Sequence, residues 1–194
     1  MLLRLIEDMN QALDNDCFFS ALALALTFPD ICGKAKYPNA KTRQRYINWY
    51  DEYVGCTEKC PGYEMMPYLS GEVVYSLRCS LLHQGNPNIE KEKITEENCK
   101  IDHFTLLTEK KKDFNIYADS ASISDGGLGS GDGGKTTRSY EVNVRRLCLI
   151  LAACAKGYYR DYPEQFDFFD FSVVDLDERY ADLQEYTASQ IWRK

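Results

Sequence analysis

The stretch SGEVVYSLRCSLLHQGNP, residues 70–87, carries the start signal, the core face and the stop signal of one α-helix. Ser70 can cap the first turn, and Gly85 followed by Pro87 is a typical stop signal. This spacing of signals predicts a helix with one face in the core. Its apolar side chains recur at steps of three and four residues, at Val73, Val74, Leu77 and Leu81.

Five other segments have the apolar periodicity of helices. Residues 2–13 predict an amphipathic helix, and residues 17–27 are apolar on most faces, which is typical of a helix buried in a bundle. We expect Pro29 and Gly33 to close this second helix. The remaining helices are predicted at residues 42–53, 138–159 and 176–192.

Two short segments interrupt the helical pattern. Residues 103–107 and 114–118 are rich in β-branched and aromatic residues and predict the two strands of a β-hairpin. The Gly- and Ser-rich residues 120–134 predict a mobile loop.

The predicted fold class is therefore mainly α, with an antiparallel helical bundle over residues 1–160. A β-hairpin is inserted at about residues 101–124, and a Gly-rich loop follows at residues 125–135. A C-terminal extension, residues 161–194, is expected to pack on the bundle. A chain of 194 residues fits one such domain.

The composition restricts the classes of function. The chain has 44% hydrophobic and 27% charged residues, which is typical of a globular protein. Its net charge of −7 argues against a general coat for nucleic acid but permits a local basic groove. The apolar run at residues 18–28 is too short to span a bilayer, and the first residues lack the features of a secretory leader. We therefore expect a cytoplasmic protein without membrane contact, whose eight cysteines are mostly free thiols.

The sequence gives weak grounds for a metal site. Cys56 and Cys60 have a spacing that zinc could use, but no second Cys/His pair has a comparable spacing. We therefore expect neither a metal nor a cofactor.

The chain has two histidines, and they differ in their surroundings. His103 opens a predicted strand without an obvious partner, so we expect it on the surface or in the hairpin. Arg78 and His83 are polar residues at the end of an otherwise apolar helix. In an ideal α-helix, residues five apart lie about 140° from each other around the axis. The reach of the Arg side chain, a departure from ideal geometry at the helix end, or a second subunit could each bring the pair together.

A guanidinium beside an imidazole suits the cleavage of RNA. Arg78 supplies a permanently charged planar group that fits phosphate oxygens, and the negative end of the helix dipole favours a protonated His83. The 2′-hydroxyl of RNA can attack its own phosphodiester without a metal when an acid and a base are present. The pair is therefore the candidate catalytic site.

The pattern Arg78-x4-His83, near the end of a bundle helix and followed by residues 84–85, Gln-Gly, resembles the Arg-x(4–6)-His signature of HEPN domains. The resemblance also takes in the apolar helix at residues 18–26. HEPN proteins are small helical bundles, often dimeric, and many are metal-independent ribonucleases of toxin–antitoxin and other defence systems. The resemblance implies a homodimer in which Arg78 contacts the scissile phosphate and His83 acts as acid or base. It also implies RNA as the substrate and an antitoxin or another protein as a partner. Active members often carry Asn, Asp or His directly after the Arg, where this chain has Cys79.

Other interpretations remain open. Some HEPN proteins have lost catalysis and serve as interaction modules. Arg78 could pair with an acid such as Glu72 or a C-terminal Asp, while His83 satisfies carbonyl groups at the helix end. Residues 129–136, GSGDGGKT, match the P-loop pattern of nucleotide-binding proteins. The residues before them are too polar for the strand that this motif requires, so this interpretation is the least favoured.

Basic residues cluster at positions 41–45, 110–112 and 145–146. Each cluster is more simply explained as a solvated helix face or turn than as a nucleic-acid groove. If one of them did line a groove, nearby aromatic residues would be available to stack on bases, namely Tyr46, Trp49 and Tyr50.

Overall fold

Helices make up most of the structure, which is a computed structural model. It describes residues 1–59, 62, 68–84, 94–95, 99–110, 120–124, 137–169 and 173–191. The helices in these residues are α1 Leu2–Asp14, α2 Phe18–Ala25, α3 Phe28–Lys36, α4 Thr42–Tyr50, α5 Cys56–Glu58, α6 Gly71–Cys79, α7 Val144–Asp161 and α8 Leu176–Ile191. The strands are β1 His103–Leu107, β2 Ser120–Ser124 and β3 Thr137–Asn143. Two π-helical turns, Asp51–Gly55 and Ser80–Gln84, continue α4 and α6, and a 3₁₀ turn, Pro163–Phe166, follows α7. The prediction of a mainly helical protein is confirmed.

The long helix α7 lies at the centre of the core. It contacts α1, α2 and α3, and it buries Leu147, Leu151 and Ala155. Helix α1 is amphipathic, as predicted, and most of its predicted apolar residues are buried, whereas Leu3 is 47% exposed. The buried residues of that face are Leu2, Ile6, Met9 and Leu13. All of these side chains belong to one hydrophobic cluster.

The predicted stop at Pro29 and Gly33 is wrong, because both residues belong to a further helix. Pro29 lies in the first turn of α3, where a missing N–H removes no helical hydrogen bond. Gly33 lies in the middle of α3, and a Cβ at this position would be only 2.6 Å from the backbone oxygen of Arg45. Gly33 therefore allows α3 and α4 to pack closely.

The segment Phe18–Lys36, which contains α2 and α3, is long and apolar enough to cross a membrane by length and composition alone. Within the fold, 56% of it is buried. Its inward side chains contact α1, α4 and α7, as expected for core helices.

The start of α6 is fixed against α4. Ser70 caps α6, as predicted, because its Oγ accepts a hydrogen bond from the Val73 N–H at 3.4 Å. The Gly71 N–H donates to Oδ1 of Asp51 at 2.6 Å. Asp51 lies in the π turn that replaces the predicted last turn of the helix at residues 42–53. This hydrogen bond holds α6, and the arginine that it carries, in position.

The described strands do not form the predicted hairpin. Strand β1 lies where it was expected, but it pairs with β3 in parallel, with His103 opposite Ser139. Strand β2 pairs with β3 in the antiparallel direction, so the strand order is β1-β3-β2. The predicted second strand, residues 114–118, lies outside the described residues. The predicted loop at residues 120–134 begins as strand β2, and the rest of it, residues 125–134, also lies outside them.

The predicted helix at residues 138–159 begins too early. Residues 137–143 form β3, in which Tyr140 and Val142 are buried and alternate with polar residues. This two-residue alternation is the period of a strand. Helix α7 begins at Val144. Asn143 caps it, because its side chain accepts a hydrogen bond from the Arg146 N–H at 3.0 Å.

The C-terminal extension has two parts. The 3₁₀ turn Pro163–Phe166 packs on α7, and Phe166 is 6% exposed. Helix α8 forms as predicted from residue 176, and the side chains of residues 176–186 are exposed.

Candidate functional site

Arg78 lies in the last turn of α6, and its side chain reaches α3. Its Nε donates a hydrogen bond to Oδ2 of Asp30 at 2.7 Å, and the two side chains are only 16% and 17% exposed. Asp30 lies in the first turn of α3, directly after Pro29, where the helix dipole favours a carboxylate. Of the partners considered from the sequence, Glu72 instead binds Arg43, at 2.8 Å. The ion pair thus joins α6 to α3.

Burial and the ion pair have opposite effects on the charge of Arg78. Desolvation acts to lower the pKa of Arg78, but the Asp30 carboxylate outweighs it, so the pKa is raised above its ordinary value. The guanidinium is therefore a permanent cation. The short charge-assisted hydrogen bond also restricts its direction.

Two tyrosines and a thiol surround this ion pair. The guanidinium carbon of Arg78 lies 5.7 Å from the centroid of the Tyr75 ring, and Tyr75 meets Tyr46 edge to face at 5.2 Å. Tyr46 is completely buried, and this burial, with Asp30 next, raises its pKa well above the ordinary value. Burial, followed by the Cys79 thiol, raises the pKa of Tyr75. Both phenols therefore stay neutral beside the ion pair.

The backbone leaves α-helical geometry between the two predicted catalytic residues. Helix α6 ends at Cys79, and the π turn Ser80–Gln84 contains His83. Hydrogen bonds in a π turn run between residues five apart, so such residues lie closer to one face than in an α-helix. A departure of this kind is one of the ways in which Arg78 and His83 could approach each other. The side chain of His83 lies outside the described part of the structure.

The predicted basic clusters make contacts within the chain. Besides the ion pair of Arg43, Arg146 binds both carboxylate oxygens of Glu58, at 2.8 Å and 3.2 Å. Arg145 is 7% exposed and donates to a backbone carbonyl of α1 at 3.1 Å, so the expectation of a solvated face is wrong for this residue. Residues 111–112 lie outside the described residues. The aromatic residues considered for stacking on bases are fully buried, so the alternative of a groove with these stacking residues has no support: Tyr46, Trp49 and Tyr50.

The other motifs gain no support from the structure. The P-loop pattern at residues 129–136 lies outside the described residues, but the chain continues from it as strand β3, whereas a P-loop continues as a helix. Cys60 lies outside them as well. Among the described residues, no group of three or more His, Cys, Asp and Glu side chains could hold a metal ion. Residue 103 begins β1, and its side chain also lies outside the described part.

Asp30 is the site residue that sequence reasoning missed. It is 48 residues from Arg78 along the chain, so no local pattern connects the two. An acid directly after Pro29 is a signal for the first turn of a helix and could have indicated α3. The pairing of Asp30 with Arg78 depends on how α3 packs against α6. A local helix-start signal carries no information about that packing.

Comparisons of this chain with protein-family models, with curated proteins and with solved structures found no match.

Proposed function

We propose that this protein is a metal-independent endoribonuclease of the HEPN type, built on an antiparallel helical bundle. Arg78 binds the scissile phosphate and His83 acts as acid or base. The observation that carries the proposal is the π turn Ser80–Gln84, which begins directly after the Arg-Cys pair of α6 and contains His83. Turns of this kind inside helices are common at functional sites. This one contains His83 and begins two residues after Arg78.

The ion pair with Asp30 supports the role of Arg78. A guanidinium is permanently charged, and the carboxylate of Asp30 restricts its direction. In the proposed reaction, Arg78 stabilises the negative charge that develops on the phosphate oxygens as the 2′-oxygen attacks.

The proposed cleavage needs one proton acceptor and one proton donor. A neutral imidazole removes the proton of the 2′-hydroxyl, and the 2′-oxygen then forms a bond to phosphorus. The bond from phosphorus to the 5′-oxygen breaks, and an imidazolium donates the proton that this oxygen takes up. The products are a 2′,3′-cyclic phosphate and a free 5′-hydroxyl. In the proposed homodimer, His83 and the partner subunit's His83 supply these two groups. We place this enzyme in the cytoplasm, with an antitoxin or other protein as its partner.

A second candidate is a HEPN-type interaction module without catalysis. The burial of the Arg78–Asp30 pair favours it, because a guanidinium held between two helices can serve packing alone. Cys79 favours it as well, since active HEPN proteins often carry Asn, Asp or His at this position.

Incubation of the full chain with total RNA in the presence of EDTA tests the proposal. We expect cleavage by the unsubstituted protein, and a loss of about 100-fold or more in Arg78→Ala and in His83→Ala. Arg43→Ala is the matched control, because it removes another ion-paired arginine on a neighbouring helix and should keep the activity. Thermal unfolding of each variant distinguishes a lost site from a lost fold.

Cleavage that survives both Arg78→Ala and His83→Ala would exclude this site. If the unsubstituted protein cleaves no RNA, with or without a divalent metal, the interaction module is the better description. Products that carry a 5′-phosphate would contradict attack by the 2′-hydroxyl.

A further inference from the structure

Two thiols on different helices meet at the same π turn. In the turn Asp51–Gly55, the carbonyl oxygens of the consecutive residues Glu52 and Tyr53 each accept a hydrogen bond from a cysteine. Cys56 Sγ donates to the Glu52 oxygen at 3.2 Å, and Cys154 Sγ donates to the Tyr53 oxygen at 3.3 Å. Cys56 follows the turn directly, whereas Cys154 comes from α7. Two thiols that are far apart in the sequence therefore donate to neighbouring carbonyl groups of one turn.

The two thiols differ in access to solvent. Cys56 is exposed, and Cys154 is half-buried. Burial, followed by Cys56 and Glu58, raises the pKa of Cys154. An oxidant can thus reach Cys56, while Cys154 stays protonated and sheltered until it reacts. A third cysteine near Cys154, Cys32, is fully buried.

We propose that Cys56 and Cys154 form a peroxide-sensitive disulfide site, which is independent of the ribonuclease proposed above. Hydrogen peroxide transfers one oxygen to the Cys56 thiolate, which becomes a sulfenic acid. The other oxygen of the peroxide leaves as water. The Cys154 sulfur then attacks the Cys56 sulfur, and the sulfenic hydroxyl takes up the Cys154 proton and leaves as a second molecule of water. In total, two thiols and one peroxide give one disulfide and two molecules of water. The new bond links the π turn after α4 to α7, the central helix of the core.

Peptide mapping by mass spectrometry tests this site in the fully reduced chain. After treatment with hydrogen peroxide, we expect one peptide pair that joins residues 56 and 154, with the loss of two hydrogen atoms. Cys56→Ser and Cys154→Ser should each remove this linked pair. In Cys154→Ser, the sulfenic acid on Cys56 should persist and react with dimedone, because the resolving thiol is missing. Cys17→Ser is the matched control, since Cys17 is exposed as well and should leave the linkage unchanged.

The melting temperature gives a second measurement. The oxidised chain should unfold at a higher temperature than the reduced chain, because the bond closes a long loop, and both serine variants should lose this difference. A linkage between Cys56 and the nearby Cys60, a link between two chains, or no linkage at all would each overturn the proposal. So would a disulfide that still forms after either substitution.

Discussion

At the scale of single residues, the ion pair between Arg78 and Asp30 holds α6 and α3 together at the candidate site. Its two side chains are among the less exposed charged groups of the described chain, at 16% and 17%. A charge at this depth depends on its partner, because water can replace the partner only in part. The same contact therefore contributes to the fold and to the direction of the guanidinium.

Asp30→Asn should lower the free energy of unfolding by about 2 kcal/mol, because the Arg78 guanidinium keeps its charge but loses its counter-charge. Glu52→Gln is the control, since it removes the partner of Lys36 from a more exposed ion pair, 25% and 47% exposed. We expect a change below about 1 kcal/mol for the control. Denaturant-induced unfolding measures both variants, and equal losses would contradict the importance of burial at Asp30.

Glu72 should contribute to the sensitivity of the fold to acid. Its carboxylate accepts hydrogen bonds from the N–H and the hydroxyl of Thr95, both at 2.6 Å, and from Arg43 at 2.8 Å. Burial acts to raise the pKa of Glu72, but these hydrogen bonds outweigh it, and the pKa is lowered. Such a group stabilises the folded state above its unfolded pKa, and this contribution is lost as the pH falls through the folded value.

Between about pH 6 and about pH 3, the melting temperature of Glu72→Gln should therefore fall less than the melting temperature of the unsubstituted protein. Thermal unfolding followed across this range gives the two curves. Parallel curves would show that the carboxylate has the same pKa in both states.

At the scale of elements, close contacts between helices fix the packing of α3 on α4. A Cβ on Gly33 would lie 2.6 Å from the Arg45 carbonyl oxygen, a backbone atom that cannot move without the whole of α4. Gly157, on α7, has no heavy atom within 4 Å of such a Cβ. The two glycines thus separate the effect of a clash from the effect of helix propensity.

Gly33→Ala should lower the free energy of unfolding by about 1–3 kcal/mol, because α3 and α4 must move apart. Gly157→Ala should raise it by about 0.5–1 kcal/mol, since alanine costs less entropy in a helix than glycine. Thermal unfolding of the two variants should give shifts of opposite sign. A stabilised Gly33→Ala variant would show that the two helices can separate without cost.

Local signals predict some of these elements from the sequence, and contacts with distant parts of the chain decide the others. Ser70 and the apolar face behind it predict α6, because a cap and a periodicity depend only on neighbouring residues. Gly33 resembles a stop signal until α4 is known to pack against it. The same limit applies to Asp30, whose partner lies on another helix, and to β1, whose neighbour is not the next strand but β3.

At the scale of the whole molecule, one hydrophobic core contrasts with an exposed C-terminal helix. Leu151, on α7, is 0% exposed, whereas Leu183, on α8, is 52% exposed. Both residues lie within regular helices, so helix propensity affects a substitution to alanine equally. The difference between the two changes in unfolding free energy therefore measures the effect of burial.

Leu151→Ala should lower the free energy of unfolding by about 2–5 kcal/mol, because it leaves a cavity in the centre of the core. Leu183→Ala should change it by less than about 0.5 kcal/mol, as expected for a surface substitution. Chemical unfolding of both variants measures the two changes. A large loss in Leu183→Ala would mean that α8 is covered in solution.

The parallel pairing of β1 with β3 affects the order in which the protein can fold during its synthesis. Strand β1 leaves the ribosome well before the strand to which it hydrogen-bonds, and α7 follows only after that partner. The faces of α1, α2 and α3 that contact α7 therefore stay uncovered until the chain has been made beyond Val144. During this interval the unfinished protein is most open to chaperones and proteases.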